Sequence, residues 1–274
     1  MDYVYLDNDA STKVDSDVIN AMRPFFSEQY GMASSEFGHS YGVLARNAIN
    51  DAKAIIAKEI NAEPEEIYFT SGVAESNNLA IRGAVSFKKG DMVTSPIEQN
   101  TILNVMEFLK DHKKVDLDII DVDNEGFVDE NKLEEAISSN TRIVSVQHAN
   151  QEIGTIQDLK RIGKLCGDET LFHSDASQSF LKEKINVQKM GVDMVTLSAH
   201  NIYGPKGISA LYIKEGTDIQ PLLYGGGEQK GIRPGLENVP AIAGFAKAVE
   251  IYDEKDNEKM AKLRDQLING LLKI

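Results

Sequence analysis

The sequence predicts an α/β protein with a mostly parallel, seven-stranded sheet flanked by helices. Two patterns favour this class: short apolar runs recur along the chain, and stretches of helical periodicity lie between them. The third observation is size, because 274 residues, 42% of them hydrophobic, suffice for a large core in one or two domains. No run approaches 18 apolar residues, so we expect no membrane association.

Each strand is expected where a run of four to six mostly apolar residues is bounded by polar residues or turn formers. Runs of this kind predict a buried sheet with helices on both faces, because each strand is then apolar on both sides. The predicted strands are residues 67–70, 92–95, 117–122, 143–148, 171–174, 194–198 and 208–213.

The helices are expected from a spacing of three and four between apolar residues. In residues 45–60, Ile49, Ala52, Ile56 and Ile60 share one face while Lys53 lies on the other, which indicates packing rather than a ligand site. The same pattern predicts helices at 101–110, 130–138, 157–166, 240–252 and 259–273, with 253–259 as a solvated helical stretch or linker.

Charge and cysteine content exclude several function classes. The net charge of −14 disfavours a polyanion-binding surface, so we expect no nucleic-acid partner. One cysteine, Cys166, is too few for an internal disulfide or a thiolate metal site, which fits a reducing compartment. The first residues lack a basic, then apolar, leader pattern. We therefore expect a cytoplasmic protein.

Three motifs carry the functional signal. They are Thr-Ser-Gly-Val-Ala-Glu-Ser-Asn-Asn at 70–78, Ser-Ala-His-Asn-Ile-Tyr-Gly-Pro-Lys-Gly at 198–207 and the glycine-rich segment 225–235. In this order the chain resembles the cysteine desulfurases of aminotransferase class V, from Tyr5 to about Asn269. Those pyridoxal-phosphate (PLP) enzymes remove sulfur from cysteine for iron–sulfur clusters and thiolated tRNA. The resemblance implies the large domain of the fold type I PLP-dependent transferases, and a homodimer whose subunits meet along 225–236.

Asn201 stands where this family has the lysine that carries PLP covalently. A carboxamide nitrogen is not a nucleophile and does not titrate near neutral pH, so Asn201 offers hydrogen bonds but neither a covalent link nor proton transfer. Lys206 lies five residues later in a turn that the family shares, and we interpret it as a solvated turn charge. No catalytic residue is assigned.

The resemblance implies that other cofactor contacts persist. Asp175 matches the carboxylate that pairs with the pyridinium nitrogen and keeps the ring electron-poor; its alternative role is a helix cap. Gly72 opens a strand-to-helix loop whose backbone N–H groups suit a phosphate. The expected cofactor-binding residues are Gly72, Val73, Ala74, Gln99, Gln151, Asp175, Gln178, Ser198, His200 and Asn201.

Several of these positions depart from the family pattern. The family has threonine at Ala74, a ring-stacking histidine at Gln99, asparagine at Gln151 and threonine at Leu236, and two extra residues precede His39. Each lost hydrogen bond to a charged group costs about 1.5–3 kcal/mol. We therefore expect a degraded site in which PLP is held weakly, without a covalent bond, or not at all.

Three segments are expected along the chain: residues 1–15 as an N-terminal segment, 16–252 as the large domain, and 253–274 as a helix leading toward a small domain that this sequence lacks. By the resemblance, that small domain would carry the persulfide-forming cysteine and an arginine for the substrate carboxylate. Cys166 follows an amphipathic helix away from every motif, which favours a structural role.

Three functions are compatible with the sequence. The first is a desulfurase-like enzyme, impaired or completed by another chain, that acts on L-cysteine and passes sulfur to an acceptor protein. The second is a noncatalytic scaffold for a desulfurase or an iron–sulfur assembly protein. The third, a dinucleotide-binding enzyme, lacks a Gly-x-Gly-x-x-Gly after an early strand. The dispersed histidines predict no metal site; His148 and His173, on strands, are expected to be core residues.

Overall fold

The computed structural model describes residues 4–274, so the first three residues of the predicted N-terminal segment lie outside it. Within this range seven strands form one sheet in the order β1-β7-β6-β5-β4-β2-β3. All neighbouring pairs are parallel except those that β7 makes with β1 and β6. The strands are β1 Ile67–Thr70, β2 Asp91–Thr94, β3 Leu117–Ile119, β4 Thr141–Ser145, β5 Leu171–Asp175, β6 Met194–Ser198 and β7 Ser209–Ile213.

Ten α-helices accompany the sheet in the described part of the chain. They are α1 Ser16–Met22, α2 Pro24–Ser27, α3 Ser40–Ile60, α4 Val73–Phe87, α5 Asn100–Lys113, α6 Glu130–Ala136, α7 Leu159–Cys166, α8 Val187–Met190, α9 Val239–Ile251 and α10 Lys255–Leu271. The predicted class, an α/β protein with a mostly parallel seven-stranded sheet between helices, is confirmed.

Two apolar clusters cover the two faces of the sheet. On one face, α3 packs on α9, and Ile49, Phe172 and Phe245 are fully buried there. On the other face, α4 packs on α5 around Leu79 and Met106. Because both faces are covered, the central strands are apolar on both sides, which is why they appear in the sequence as continuous hydrophobic runs.

Helix α3 begins five residues before the predicted start at residue 45. His39 is its N-cap, and the His39 Nδ1 atom accepts a hydrogen bond from the backbone N–H of Gly42 at 3.0 Å. Histidine is not among the usual capping residues, so the sequence carries no signal for a helix start at this position.

Strand β3 ends at Ile119, three residues before its predicted end, because its neighbour β2 ends at Thr94, the partner of Ile119. A strand continues only while an adjacent strand supplies hydrogen bonds, and this information is not local.

Helix α10 begins at Lys255, so most of 253–259 is helical, which agrees with the first of the two alternatives, a solvated helical stretch or a linker. None of its residues is buried, and Leu263, Leu267 and Leu271 are exposed along one side. Asn257 joins the start of this helix to the body of the protein, since its Nδ2 atom donates to the Leu181 carbonyl oxygen at 3.1 Å. In the described residues no helix is long and apolar enough to cross a bilayer.

Two glycine-to-alanine substitutions test the helix packing. A Cβ atom on Gly163, in α7, would collide with the carbonyl oxygen of Met190 in α8, whereas a Cβ on Gly270, in α10, would meet nothing within 4 Å. We expect Gly163→Ala to destabilise the protein by about 1–3 kcal/mol through overpacking. Gly270→Ala, the matched control, should be neutral or slightly stabilising because alanine favours helix. Urea unfolding measures both; equal effects would contradict the packing.

Candidate cofactor site

The predicted site residues converge on one edge of the sheet. The relevant strands run parallel, so their carboxyl ends meet at that edge, where open α/β sheets bind ligands. The structure places Gly72, Val73 and Ala74 after β1, Gln99 after β2, Gln151 after β4, Asp175 and Gln178 at and after β5, and Ser198, His200 and Asn201 at and after β6.

Asp175 is the electrostatic centre of this edge. Its side chain ends β5 and is 1% exposed. Burial raises the pKa of this carboxyl above its usual value, although hydrogen bonds from Ser177 and Asn77 oppose the shift. The Ser177 backbone N–H donates to Oδ1 at 2.8 Å, and Asn77 Nδ2 donates to Oδ2 at 2.8 Å. Both oxygens are therefore fixed in direction.

Asn77 is a site residue that the sequence reasoning missed, although it lies in the motif at 70–78. The hydroxyl of Thr196 donates to Asn77 Oδ1 at 2.6 Å, so its oxygen accepts from His173 Nε2 at 3.1 Å. The hydroxyl of Ser145 then donates to His173 Nδ1 at 2.9 Å. This order requires a neutral imidazole, and burial lowers the pKa of His173 to about 3. The chain of bonds orients Asn77 toward Asp175.

The start of α4 has open space beside Gly72. Gly72 is the N-cap, no side chain caps the helix, and a Cβ atom built on Gly72 would meet nothing within 4 Å. Backbone N–H groups at a helix start favour an anion. Next to it, Glu75 accepts from Ser71 N at 2.6 Å and from Arg233 Nε at 2.9 Å. Burial opposes ionisation of Glu75, but these bonds outweigh it and lower its pKa.

Asn201 is 4% exposed and directed inward. Its Nδ2 atom donates to the Ser177 carbonyl oxygen at 3.0 Å, while its Oδ1 atom is buried without a hydrogen-bond partner. Ser198 Oγ and His200 Nδ1, from the same segment, are also buried and unpaired. Burial, followed by the charges of Lys206 and Lys182, lowers the pKa of His200. Buried polar atoms normally have partners, so this cluster leaves polar capacity unused.

Each of the three predicted glutamines in the site makes a hydrogen bond to another residue of the protein. Gln99 Nε2 donates to Ser177 Oγ at 3.4 Å, and Gln151 Oε1 accepts from Gln147 Nε2 at 3.0 Å. Gln178 makes a long bond, 3.5 Å, to the carbonyl oxygen of Asp9. An amide at position 99 covers space as a histidine would, but it does not titrate.

A second buried carboxyl, Glu98, was also missed. It precedes Gln99, accepts hydrogen bonds from Ser95 Oγ and the Gln147 backbone N–H, and is 7% exposed. Burial raises its pKa to about 8, and the negative charge of Asp175 adds to the shift. The signal available in the sequence was only its position beside Gln99.

These residues fit PLP held by noncovalent contacts and do not fit PLP held by a covalent bond. If PLP were bound, Asp175 would hold its pyridinium nitrogen, the uncapped α4 start would hold its phosphate, and the unpaired Ser198 and His200 atoms would offer further polar contacts. Asn201 supplies no amine, and Lys206 is exposed in the following turn, as predicted.

The remaining candidates have structural roles. Cys166 is buried, and burial raises the pKa of its thiol to about 12. His148 is a buried core histidine whose Nδ1 atom lies 2.8 Å from Ser179 Oγ, and burial lowers its pKa to about 4. Among the residues that the structure describes, no three histidine, cysteine, aspartate or glutamate side chains are grouped as metal ligands.

Comparison with known proteins agrees with this geometry. The sequence profile of the family described as aminotransferase class-V matches residues 4–274. Cysteine desulfurase IscS 1 of Archaeoglobus fulgidus is 42% identical over 276 residues, which cover 98% of this chain and 72% of that relative.

Two solved structures superpose closely on this chain. A NifS-like protein has a TM-score of 0.93 at 36% identity, covering 98% of this chain and 76% of the other. SspA in complex with cysteine has a TM-score of 0.87 at 39% identity, covering 91% and 73%. The chain therefore belongs to the class-V aminotransferase family and has the fold of its PLP-dependent, NifS-like cysteine desulfurases.

Proposed function

We propose that this protein is a cysteine desulfurase-like member of sulfur-transfer and iron–sulfur metabolism that binds PLP without a covalent bond and is impaired in desulfuration. The feature that supports the proposal is Asn201, which the family resemblance aligns with the attachment lysine and whose amide donates to the Ser177 carbonyl oxygen. The family fold around it supports PLP as the ligand.

The residues of this chain have distinct roles toward that ligand. Asp175 holds its charge against the pyridinium nitrogen, and Asn77 keeps the carboxylate oriented. The N-terminus of α4 would hold the phosphate, and Ala74 would offer it a backbone N–H but no hydroxyl. Gln99 covers the ring without exchanging a proton. When bound, PLP supplies an electron sink for an amine substrate, but neither Gln99 nor Asn201 moves the protons that such chemistry needs.

The proposed substrate and partners follow from the relatives. Several relatives are cysteine desulfurases, and SspA is described in complex with cysteine, which supports L-cysteine as the small-molecule ligand. We also propose a cytoplasmic homodimer that meets a sulfur-acceptor or iron–sulfur protein. Exposed apolar side chains support the dimer. They lie on and near the 225–236 segment, on the early loops and in the first turn of α3, and they are Tyr30, Phe37, Tyr41, Leu223, Tyr224 and Leu236.

A second candidate function is a noncatalytic scaffold for a desulfurase or an iron–sulfur assembly protein. Two positions at which the family has titrating side chains, 99 and 201, both carry amides here, which favours loss of the chemistry with retention of the fold. In this case the protein would bind such a partner but release no sulfide from cysteine.

The native chain should bind PLP reversibly, and no lysine in the site should form a covalent bond with it. After addition of PLP and borohydride reduction, mass spectrometry of the denatured protein should find no pyridoxyl group on any lysine. Sulfide release from cysteine should be no faster than with free PLP at the same concentration. A stoichiometric pyridoxyl adduct, or sulfide release by the native chain well above the rate with free PLP, would contradict the proposal. Absence of any PLP binding would favour the scaffold function.

Asn201→Lys should restore the covalent link. The substituted amine lies where the family attaches PLP, so we expect a reducible adduct at residue 201 at close to one per chain, read by visible absorbance and peptide mapping. Asn201→Met is the matched control, because it has similar reach but no amine, and it should give no adduct. An adduct at some other lysine in both variants would contradict the assigned geometry.

Asp175→Asn should weaken PLP binding by about 10- to 100-fold. Removing one charge-assisted hydrogen bond costs about 1.5–3 kcal/mol, and about 1.4 kcal/mol corresponds to tenfold in affinity. Equilibrium titration followed by PLP absorbance measures the change. Asp118→Asn, on an exposed position of β3, is the control and should leave the dissociation constant unchanged. Equal affinities for both variants would remove Asp175 from the site.

A further inference from the structure

Glu98 connects the two loops that frame the cofactor site. Its Oε1 atom accepts a hydrogen bond from Ser95 Oγ at 3.0 Å, within the loop after β2, and from the backbone N–H of Gln147 at 2.6 Å, in the segment after β4. Asn150 Nδ2 adds a second connection by donating to the Ile97 carbonyl oxygen at 2.8 Å. Two hydrogen bonds therefore join the loops, and the shorter of them ends on the Glu98 carboxyl group.

The surroundings of Glu98 favour its neutral form. Its Oε2 atom is buried and has no hydrogen-bond partner, so ionisation would leave a charged oxygen without solvation. The charged group that acts on it is Asp175, at the end of β5, and this charge is also negative. The nearby histidines supply no cation, because burial keeps His148 and His173 neutral. Burial, with a smaller effect of Asp175, outweighs the hydrogen bonds from Gln147 and Ser95, which favour the ionised form, and raises the pKa of Glu98 to about 8.

The residues that these loops present are those assigned to the cofactor. Gln99 follows Glu98 directly and bonds to Ser177, beside Asp175. Gln147, whose backbone binds Glu98, holds Gln151 through its own side chain at 3.0 Å. A change in the Glu98 carboxyl would therefore move both glutamines relative to the ring site.

We propose that neutral Glu98 is a positioning residue that holds the 95–99 and 147–151 loops in their ligand-binding arrangement, and that its ionisation releases both loops. A carboxylate formed there lacks solvation and repels Asp175, so it moves toward water and loses its contact with Gln147. The effect on the loops stands on this chain alone, whereas the effect on PLP affinity rests on the proposed function.

The sign of the pH dependence follows from the direction of the shift. The pKa of Glu98 is about 8 in the folded protein and 4.5 for the free side chain. Its neutral form therefore supports the fold at low pH, and ionisation opposes the fold as the pH rises. That contribution is complete below about pH 4.5 and is lost as the pH rises toward 8, at up to tenfold in the folding equilibrium per pH unit. Loop release is expected above about pH 8.

Hydrogen exchange on the cofactor-free protein tests the proposal directly. Glu98→Gln keeps an oxygen for Gln147 and Ser95 and remains neutral at every pH, so it is the matched comparison. At pH 6, amide exchange in 95–99 and 147–151 should be equal in the native chain and in Glu98→Gln. At pH 9, it should be at least several-fold faster in the native chain, with the remaining segments unchanged. Equal exchange at pH 9 would overturn the proposal.

Ser95→Ala provides a second variant in which the carboxyl is retained. The Ser95 hydroxyl bond favours the ionised form of Glu98, so its removal should move loop release to higher pH. A release that moves to lower pH, or does not move, contradicts the assignment. This variant also keeps the proposal testable if Glu98→Gln does not fold.

PLP titration separates this inference from the proposed function. Above pH 8, affinity in the native chain should fall relative to Glu98→Gln, by up to about tenfold per pH unit. Faster loop exchange together with no PLP binding in either protein would support the role of Glu98 and reject the cofactor. PLP binding with identical pH profiles would reject the role of Glu98 and leave the cofactor site intact.

Discussion

The buried carboxylate of Asp175 is the interaction on which the rest of the site depends. A charge at a strand end inside a protein persists only if donors are fixed around it. Here the fixed donors are the Ser177 backbone N–H and the Asn77 amide, and Asn77 is held by a hydrogen-bond relay through Thr196 and His173 across β5 and β6. This buried network joins α4 to strands β5 and β6, so it fixes the position of the α4 start relative to Asp175.

The sheet edge around Asp175 is rich in acid and amide groups, and Asn201 brings no amine to it. Asp175 and Glu98 are both buried carboxyls, and their pKa values are both raised, chiefly by burial. Asn201 and Gln99 are both bonded to Ser177 and neither titrates. A buried acid is thus combined with two neutral amides around Ser177. This combination is the physical basis of the proposal that the protein binds PLP without efficient turnover.

Local patterns predicted most of the fold because both faces of the sheet are covered. Strand β6, Met194–Ser198, was predicted with its observed bounds, since all five residues are buried. Errors occurred where a partner decides the boundary: β3 stops where β2 stops, and α3 starts where His39 caps it. Asn77 and Glu98 escaped prediction because their roles depend on strands distant in sequence.

By itself, the sequence determined the fold class and the family resemblance, because both depend on residue identity and local spacing. The same resemblance predicts that Asn201 stands in place of the attachment lysine. Only the tertiary structure decided which polar side chains act together. Glu98 lies 77 positions before Asp175 in the chain, yet the charge of Asp175 shifts its titration. Such coupling arises from folding, which brings the ends of parallel strands to one edge and removes water from the groups there.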